Sequence, residues 1–395
     1  MTLDFLFDVV CPYAYLASTQ VEALARRCGV PLRWQPVLLG GLLRATGGPD
    51  DPNQTMNAAK RRIMAVDRAR TAALLGVPLR EPPQHPRRTV DAMRLVLAAP
   101  DGPARAALAH ELFAAYWVRG DDVSDPQVLA EIAVRHGLPA AAHVRPELRE
   151  ALRAATAAAA SQGAFGVPSF VVGEALWWGQ DRMGLVERAL GGEPPPLLAP
   201  EDATPPAAAA TRLAFFHDFS SPFSYLAATQ IERVAAARGV AVEWVPILLG
   251  ALFRELGTPD VPLLEMSAAK QAYVRRDLHD WAAWWGVPFA FPRRFPLRSV
   301  LPLRVALVEP AATLPIYRAA WAEDRVVDTE EGLHAVLAAA GLPAAALLER
   351  AVSTPIKEQL RANTERARVL GVCGVPTACV ERGGRSVLVW GQDRL

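Results

Sequence analysis

The chain has 395 residues, 51% of them apolar, and carries 42 Lys and Arg against 41 Asp and Glu for a net charge of +1. That length predicts two domains with conventional cores, and the balanced charge leaves no polyanion-binding face, so no nucleic-acid partner is expected. No stretch reaches 18 uninterrupted apolar residues and there are four cysteines, which predicts no membrane span, no disulfide framework and a reducing, cytoplasmic setting.

In chain order, "MTLDFLFDVV" (1–10) reads as a strand, because Asp4 and Asp8 interrupt the apolar run and no basic segment precedes it as in a signal peptide. "PYAYLASTQVEALARRCGV" (12–30) has helical spacing, with Pro12 in the first turn and Gly29 as terminator. "PLRWQPV" is a second strand, making a β–α–β opening. Residues 54–162 are mostly helical, with breaks at 76–78, 100–103, 120–125 and 137–139. "PSFVVG" and "ALWWG" form a closing hairpin, and "QDRMGLVERAL" a last helix. A β–α–β half, a long helical insertion and a β–β–α half are the plan of a thioredoxin-like fold.

The chain then repeats itself. "DVVCPYAYLA" (8–17) returns as "DFSSPFSYLA" (218–227), an offset of 210. "LRWQPVLLGGLLRATG" returns as "VEWVPILLGALFRELG", "FGVPSFVV" as "CGVPTACV", and "WGQDRM" as "WGQDRL". The expectation is two α/β thioredoxin-like domains, 1–190 and 211–395, joined by a Pro/Ala-rich linker at 191–210.

The slot before the helix proline holds Cys11 in one copy and Ser221 in the other. A helix start presents unpaired N–H groups and a positive dipole end, which favour an anion or a thiolate. A cysteine there is commonly acidified, to roughly 3.5–7.5; a serine there can donate its proton to a thiolate brought by a small molecule. The plain alternative is a helix cap, a role Asp8 or Asp218 fills equally well, with Cys11 a small buried hydrophobe. "GVP" at 166–168 and 374–376 shifts the balance towards chemistry. A proline at this place in the fold is expected to be cis, and it bares the backbone of Val167 or Val375 for pairing with an extended peptide. Asp181 and Asp393 of "WGQDR" are first-turn acids that in this fold lie near the same cleft, where they can take an ammonium group.

With "W.P.LLG.LF", "AAK..Y..RDL" and "FP.RS" added, the sequence resembles the 2-hydroxychromene-2-carboxylate isomerases and their kappa-class glutathione transferase relatives, which share the DsbA-like fold. The resemblance covers essentially both halves. It implies glutathione, or another low-molecular-weight thiol, held by Ser221 with Phe223 beside it, paired to Val375 next to Pro376, and contacted by Gln392 and Asp393. The matching positions of the first half are Cys11, Tyr13, Val167, Pro168, Gln180 and Asp181. Members are dimers, so the halves are expected to pair as an intramolecular pseudo-dimer.

Several positions depart from the pattern. Gly48 and Thr258 stand where kappa-class enzymes have Asn, Ile63 stands opposite Tyr273, and the second copy ends at Leu395 without the helix that follows "WGQDR" in the first. Cys11 lacks a resolving cysteine, since Ala14 takes that place. Cys28 is expected to be buried at the far end of its helix, and Cys373 to pack near the second "GVP". The paired tryptophans 177–178 and 284–285 are expected in the core, with an aromatic wall for a planar substrate as the alternative. No metal-ligand spacing, phosphate loop or nucleophile elbow is present. The expected activity is a glutathione-dependent isomerase or transferase on an aromatic or conjugated carbonyl. The alternatives are a thiol–disulfide or deglutathionylating enzyme resting on Cys11, or a silent domain serving as pairing partner.

Overall fold

In the computed structural model, which describes residues 1–49, 52–194 and 212–395, the first apolar run forms β1 (Leu3–Phe7). The chain turns through Cys11 into α1 (Pro12–Arg27) and returns as β2 (Leu32–Pro36), parallel to β1. A short helix, α2 (Leu39–Ala45), opens the helical insertion, which runs through Pro146–Ser161. Then β3 (Ser169–Val172) pairs antiparallel with β1, β4 (Ala175–Trp178) with β3, and α3 (Met183–Ala189) follows. The sheet order is β2-β1-β3-β4.

The second copy repeats the plan with β5 (Arg212–His217), α4 (Pro222–Ala228), β6 (Val242–Pro246), α5 (Leu249–Glu255) and, within its insertion, α6 (Thr313–Trp321). It closes with β7 (Thr377–Arg382) and β8 (Arg385–Trp390), in the order β6-β5-β7-β8. The β7–β8 turn uses Gly383 and Gly384 at φ +56° and +73°, a left-handed pair that a two-residue hairpin requires. One expected helix differs: the second copy interrupts it after Ala228 and resumes at Ile231–Ala236, and nothing in the local sequence explains the break.

One unit comprises Met1–Thr55, Ala65–Pro195 and Met266–Ala272; the other comprises Met56–Met64, Pro196–Glu265 and Tyr273–Leu395. The expected linker at 191–210 lies, from residue 195 onwards, outside the described residues. Among the described residues no helix is long and apolar enough to cross a membrane.

The inner strands β1, β3 and β5 are buried along nearly their whole length and read as near-continuous apolar runs, whereas β2, β6 and β8 are largely half-buried or exposed. In β5 the two faces separate by the period of two. Ala214 and Phe216 join a cluster with Val245, Ile247, Leu252 and Ala367. Phe215 and His217 point the other way, and both meet Trp244 edge to face at 5.3 and 5.4 Å. In the first unit Phe5 and Phe7 meet Trp34 in the same geometry.

Candidate active site

Cys11 and Ser221 are the N-cap residues of α1 and α4. Ser221 uses its side chain as a cap: its Oγ accepts from the Ser224 N–H at 3.2 Å. Its hydroxyl donates to the Val375 carbonyl at 3.3 Å, and the Cys11 thiol donates to the Val167 carbonyl at 3.1 Å. The slot and the "GVP" loop, more than 150 residues apart in sequence, thus meet in each unit. The Val167–Pro168 and Val375–Pro376 peptides are cis. Tyr13 and Phe223 are half-buried in the first helical turns.

The expectation of an acidified thiol at Cys11 is corrected. Burial pushes Cys11 up to about 12, and the N–H groups of Ala14 and Tyr13 offset only part of that. A helix terminus lowers a thiol's pKa only while solvent or a counter-charge shares the site; here Cys11 is 6% exposed and the nearby Asp8 acts in the raising direction. Cys11 is therefore a neutral, weak donor. Cys373 is likewise pushed up to about 12 by burial, in keeping with a packing role. Cys28 is at the α1 C-cap as expected, but it is partly exposed rather than buried.

Asp8 and Asp218 cap a different helix from the one their position suggested. Asp218 accepts from the Leu249 N–H at 2.8 Å and Asp8 from the Leu39 N–H at 2.9 Å, at the starts of α5 and α2. Each carboxylate ties the end of the first strand to the segment after the second. The loop before the slot is fixed from the other side, where the Trp321 indole donates to the Phe219 carbonyl and Trp117 to that of Val9, both at 2.8 Å. Tyr225 and Tyr15 then tie the slot helix to the Pro288 and Pro78 carbonyls of the "GVP" segments in the insertions.

"WGQDR" closes the site. Gly391 sits at φ +110°, and a Cβ there would collide with the carboxylate of Asp393, which folds back over it; Gly179 and Asp181 repeat this at φ +108°. The carboxylates also meet their neighbouring arginines, Asp181–Arg182 at 2.9 Å and Asp393–Arg394 at 3.5 Å. Gln392 is buried, its Oε1 accepts from Trp285 at 3.1 Å, and its Nε2 has no partner. Of the paired tryptophans expected in the core or as an aromatic wall, only Trp177 is buried; Trp178, Trp284 and Trp285 are half-buried, and Trp285 orients this amide. Gln180 is half-buried. A Cβ at Gly374 would lie 3.2 Å from the Trp390 indole nitrogen, so the loop packs closely against the tryptophan there.

Two further residues join the second unit's site. The Lys60 ammonium lies 5.5 Å from the centre of the Trp390 ring and lowers the Cys373 thiol's pKa against the effect of burial. The Asn57 amide donates to Thr258, the position that departs from the family Asn, at 3.0 Å. The signal for Lys60 was compositional. Only three of the 42 basic residues are lysines, and two of them, Lys60 and Lys270, are separated by the repeat offset of 210. Lys270 lies 5.1 Å from the Trp178 ring in the first unit. Among the described residues no three His, Cys, Asp or Glu side chains are grouped to hold a metal.

Fold and site together define a thioredoxin-like protein in which a capping Ser or Cys faces a cis-proline loop. The chain belongs to the family described as DSBA-like thioredoxin domain, which matches residues 2–191 and again 212–395. It is 30% identical over 200 residues to the 2-hydroxychromene-2-carboxylate isomerase of Pseudomonas putida, covering 48% of this chain and 95% of that one. It is 28% identical over 218 residues to glutathione S-transferase kappa 1 of Rattus norvegicus, covering 50% and 95%. A solved 2-hydroxychromene-2-carboxylate isomerase, 27% identical, covers 48% of this chain and 95% of its own, with a TM-score of 0.45.

Proposed function

We propose that the second unit binds glutathione, or a similar small thiol, and acts as an isomerase or transferase on an aromatic or conjugated carbonyl compound. One observation carries this: the Ser221 hydroxyl sits at a helix N-cap and within hydrogen-bond distance of the Val375 carbonyl. A donor for a thiolate and a backbone acceptor for a cysteinyl N–H therefore occupy one point. An arriving thiol pairs its backbone with Val375, which frees the Ser221 proton to turn to the sulfur. Gln392, with Nε2 unpartnered, and Asp393 receive the γ-glutamyl end.

The thiolate adds to the carbon β to the carbonyl, forming a C–S bond while the π electrons move to the carbonyl oxygen. The former double bond is now single and rotates. The electrons then return, the C–S bond breaks, and the thiolate leaves unchanged. Transfer is the same addition without elimination, completed by a proton on the α carbon. The protein supplies a stabilised thiolate and an oriented acceptor.

The test is incubation of the full chain with glutathione and a conjugated aryl carbonyl substrate. The expected result is isomer interconversion without loss of thiol, or a thioether adduct. Oxidation of glutathione to its disulfide, with neither product, would overturn the proposal in favour of chemistry at Cys11.

A further inference from the structure

Trp285 ends the helix Ala268–Trp285, and its indole nitrogen donates to Gln392 Oε1 at 3.1 Å. The two residues are 107 apart in the chain and belong to the same unit, the second. The indole is itself held in place. The Trp281 ring stacks on it at 6.1 Å and 27°, and the Arg233 guanidinium lies 6.0 Å from its centre. An indole N–H can only donate, so it faces the amide oxygen and not the NH2 group. That one bond decides which way round the Gln392 amide lies, with Nε2 turned from the indole. Gln392 is buried and its Nε2 has no partner. A buried donor left unpaired is costly, and an arriving acceptor removes the cost.

The first unit lacks this arrangement. Leu75 stands where the second copy has Trp285, immediately before "GVP" in both, and a leucine side chain donates nothing. Gln180, the counterpart of Gln392, is half-buried. The chain thus writes "WGQDR" twice but gives its glutamine an indole partner only in the second copy.

We propose that Trp285 is a positioning residue of the second unit's thiol site, and that the Gln392 amide it orients makes this site select thiols whose tail carries a free α-carboxylate. The donor at Gln392 and the carboxylate of Asp393 are neighbours in the chain, and a γ-glutamyl group carries a carboxylate and an ammonium on one carbon. The two protein groups match the two ligand groups, N–H to carboxylate and carboxylate to ammonium. Without the indole the amide is free to turn over and offer its oxygen, which repels a carboxylate. The selection acts on the tail of the thiol and not on its sulfur, so it sets affinity and leaves the chemistry at Ser221 as it is.

The inference rests on the proposed thiol site, and three ligands separate the two. Calorimetry on the full chain compares glutathione with glutaryl-cysteinylglycine, which lacks the ammonium, and γ-aminobutyryl-cysteinylglycine, which lacks the carboxylate. Binding is read at the site that Ser221→Ala weakens. Trp285→Phe keeps a ring and deletes the N–H. It should weaken the two carboxylate-bearing thiols about three- to tenfold and leave the third nearly unchanged, which also shows that the variant is folded. In turnover with glutathione the loss should fall on KM and not on kcat. Adding Trp285→Phe to Gln392→Leu should cost nothing further. Equal weakening of all three thiols, or of none, overturns the inference and leaves Trp285 as packing. A wild-type chain that binds none of them overturns the functional proposal and this inference together. One readout needs no thiol. In nitrogen NMR of the tryptophan-labelled chain the Trp285 indole proton should exchange slowly in wild type and faster in Gln392→Leu; an unchanged rate removes the hydrogen bond on which the inference stands.

Discussion

Replacing Ser221 by Ala removes one hydroxyl that the structure uses twice. As an N-cap it accepts from the Ser224 N–H, and as a donor it reaches the Val375 carbonyl. Loss of the cap costs about 1 kcal/mol of stability. Loss of a hydrogen bond to a thiolate costs roughly 1.5–3 kcal/mol, which at about 1.4 kcal/mol per factor of ten lowers turnover about 10- to 150-fold. Ser221→Cys should separate the two effects. It reproduces the first unit's side chain, where burial keeps Cys11 protonated, so it restores a weak donor and little activity. The assay compares kcat and the bound thiolate's absorbance for wild type, Ser221→Ala and Ser221→Cys, alongside thermal unfolding. Full turnover in Ser221→Ala together with loss of activity in Cys11→Ala would refute the argument and move the chemistry to the first unit.

Cys11→Ala should lose little isomerase or transferase turnover, and native Cys11 should react with iodoacetamide at pH 8 far more slowly than the unfolded chain, as peptide mass spectrometry will show; rapid labelling would contradict its raised pKa. Lys60→Met should weaken binding of a carboxylate-bearing thiol or acceptor several-fold and leave uncharged analogues unaffected, measured by calorimetry. Gly391→Ala forces a side chain onto a left-handed position already occupied by the Asp393 carboxylate; displacing it should weaken glutathione binding more than binding of a thiol without the γ-glutamyl amine. His217 titrates near 6.5 unfolded and about 3 folded, so the unfolded chain binds the extra proton and stability falls as pH drops from about 6.5 towards 3. His217→Phe should flatten that part of the stability curve by up to roughly 1.4 kcal/mol per pH unit; an unchanged slope in chemical denaturation would argue against the buried neutral imidazole.

The sequence by itself determined what local pattern can carry. Strand composition, a first-turn proline, a terminating glycine and the offset of 210 residues placed the two copies, their sheets, the Cys11 and Ser221 slots, the "GVP" loops and the "WGQDR" corners. Backbone geometry at those points depends on residues close in the chain. The tertiary structure decided what depends on burial and on distant partners. Asp218 reaches forward 31 residues to cap α5, and His217 meets Tyr317 100 residues away. Lys60 comes to Trp390 from the far end of the sequence. Cys11 stands at a helix start that by pattern should acidify it, yet its burial keeps the proton on the sulfur. A helix dipole is written in the local sequence, but the solvent that decides how much that dipole matters is excluded by residues from elsewhere in the fold.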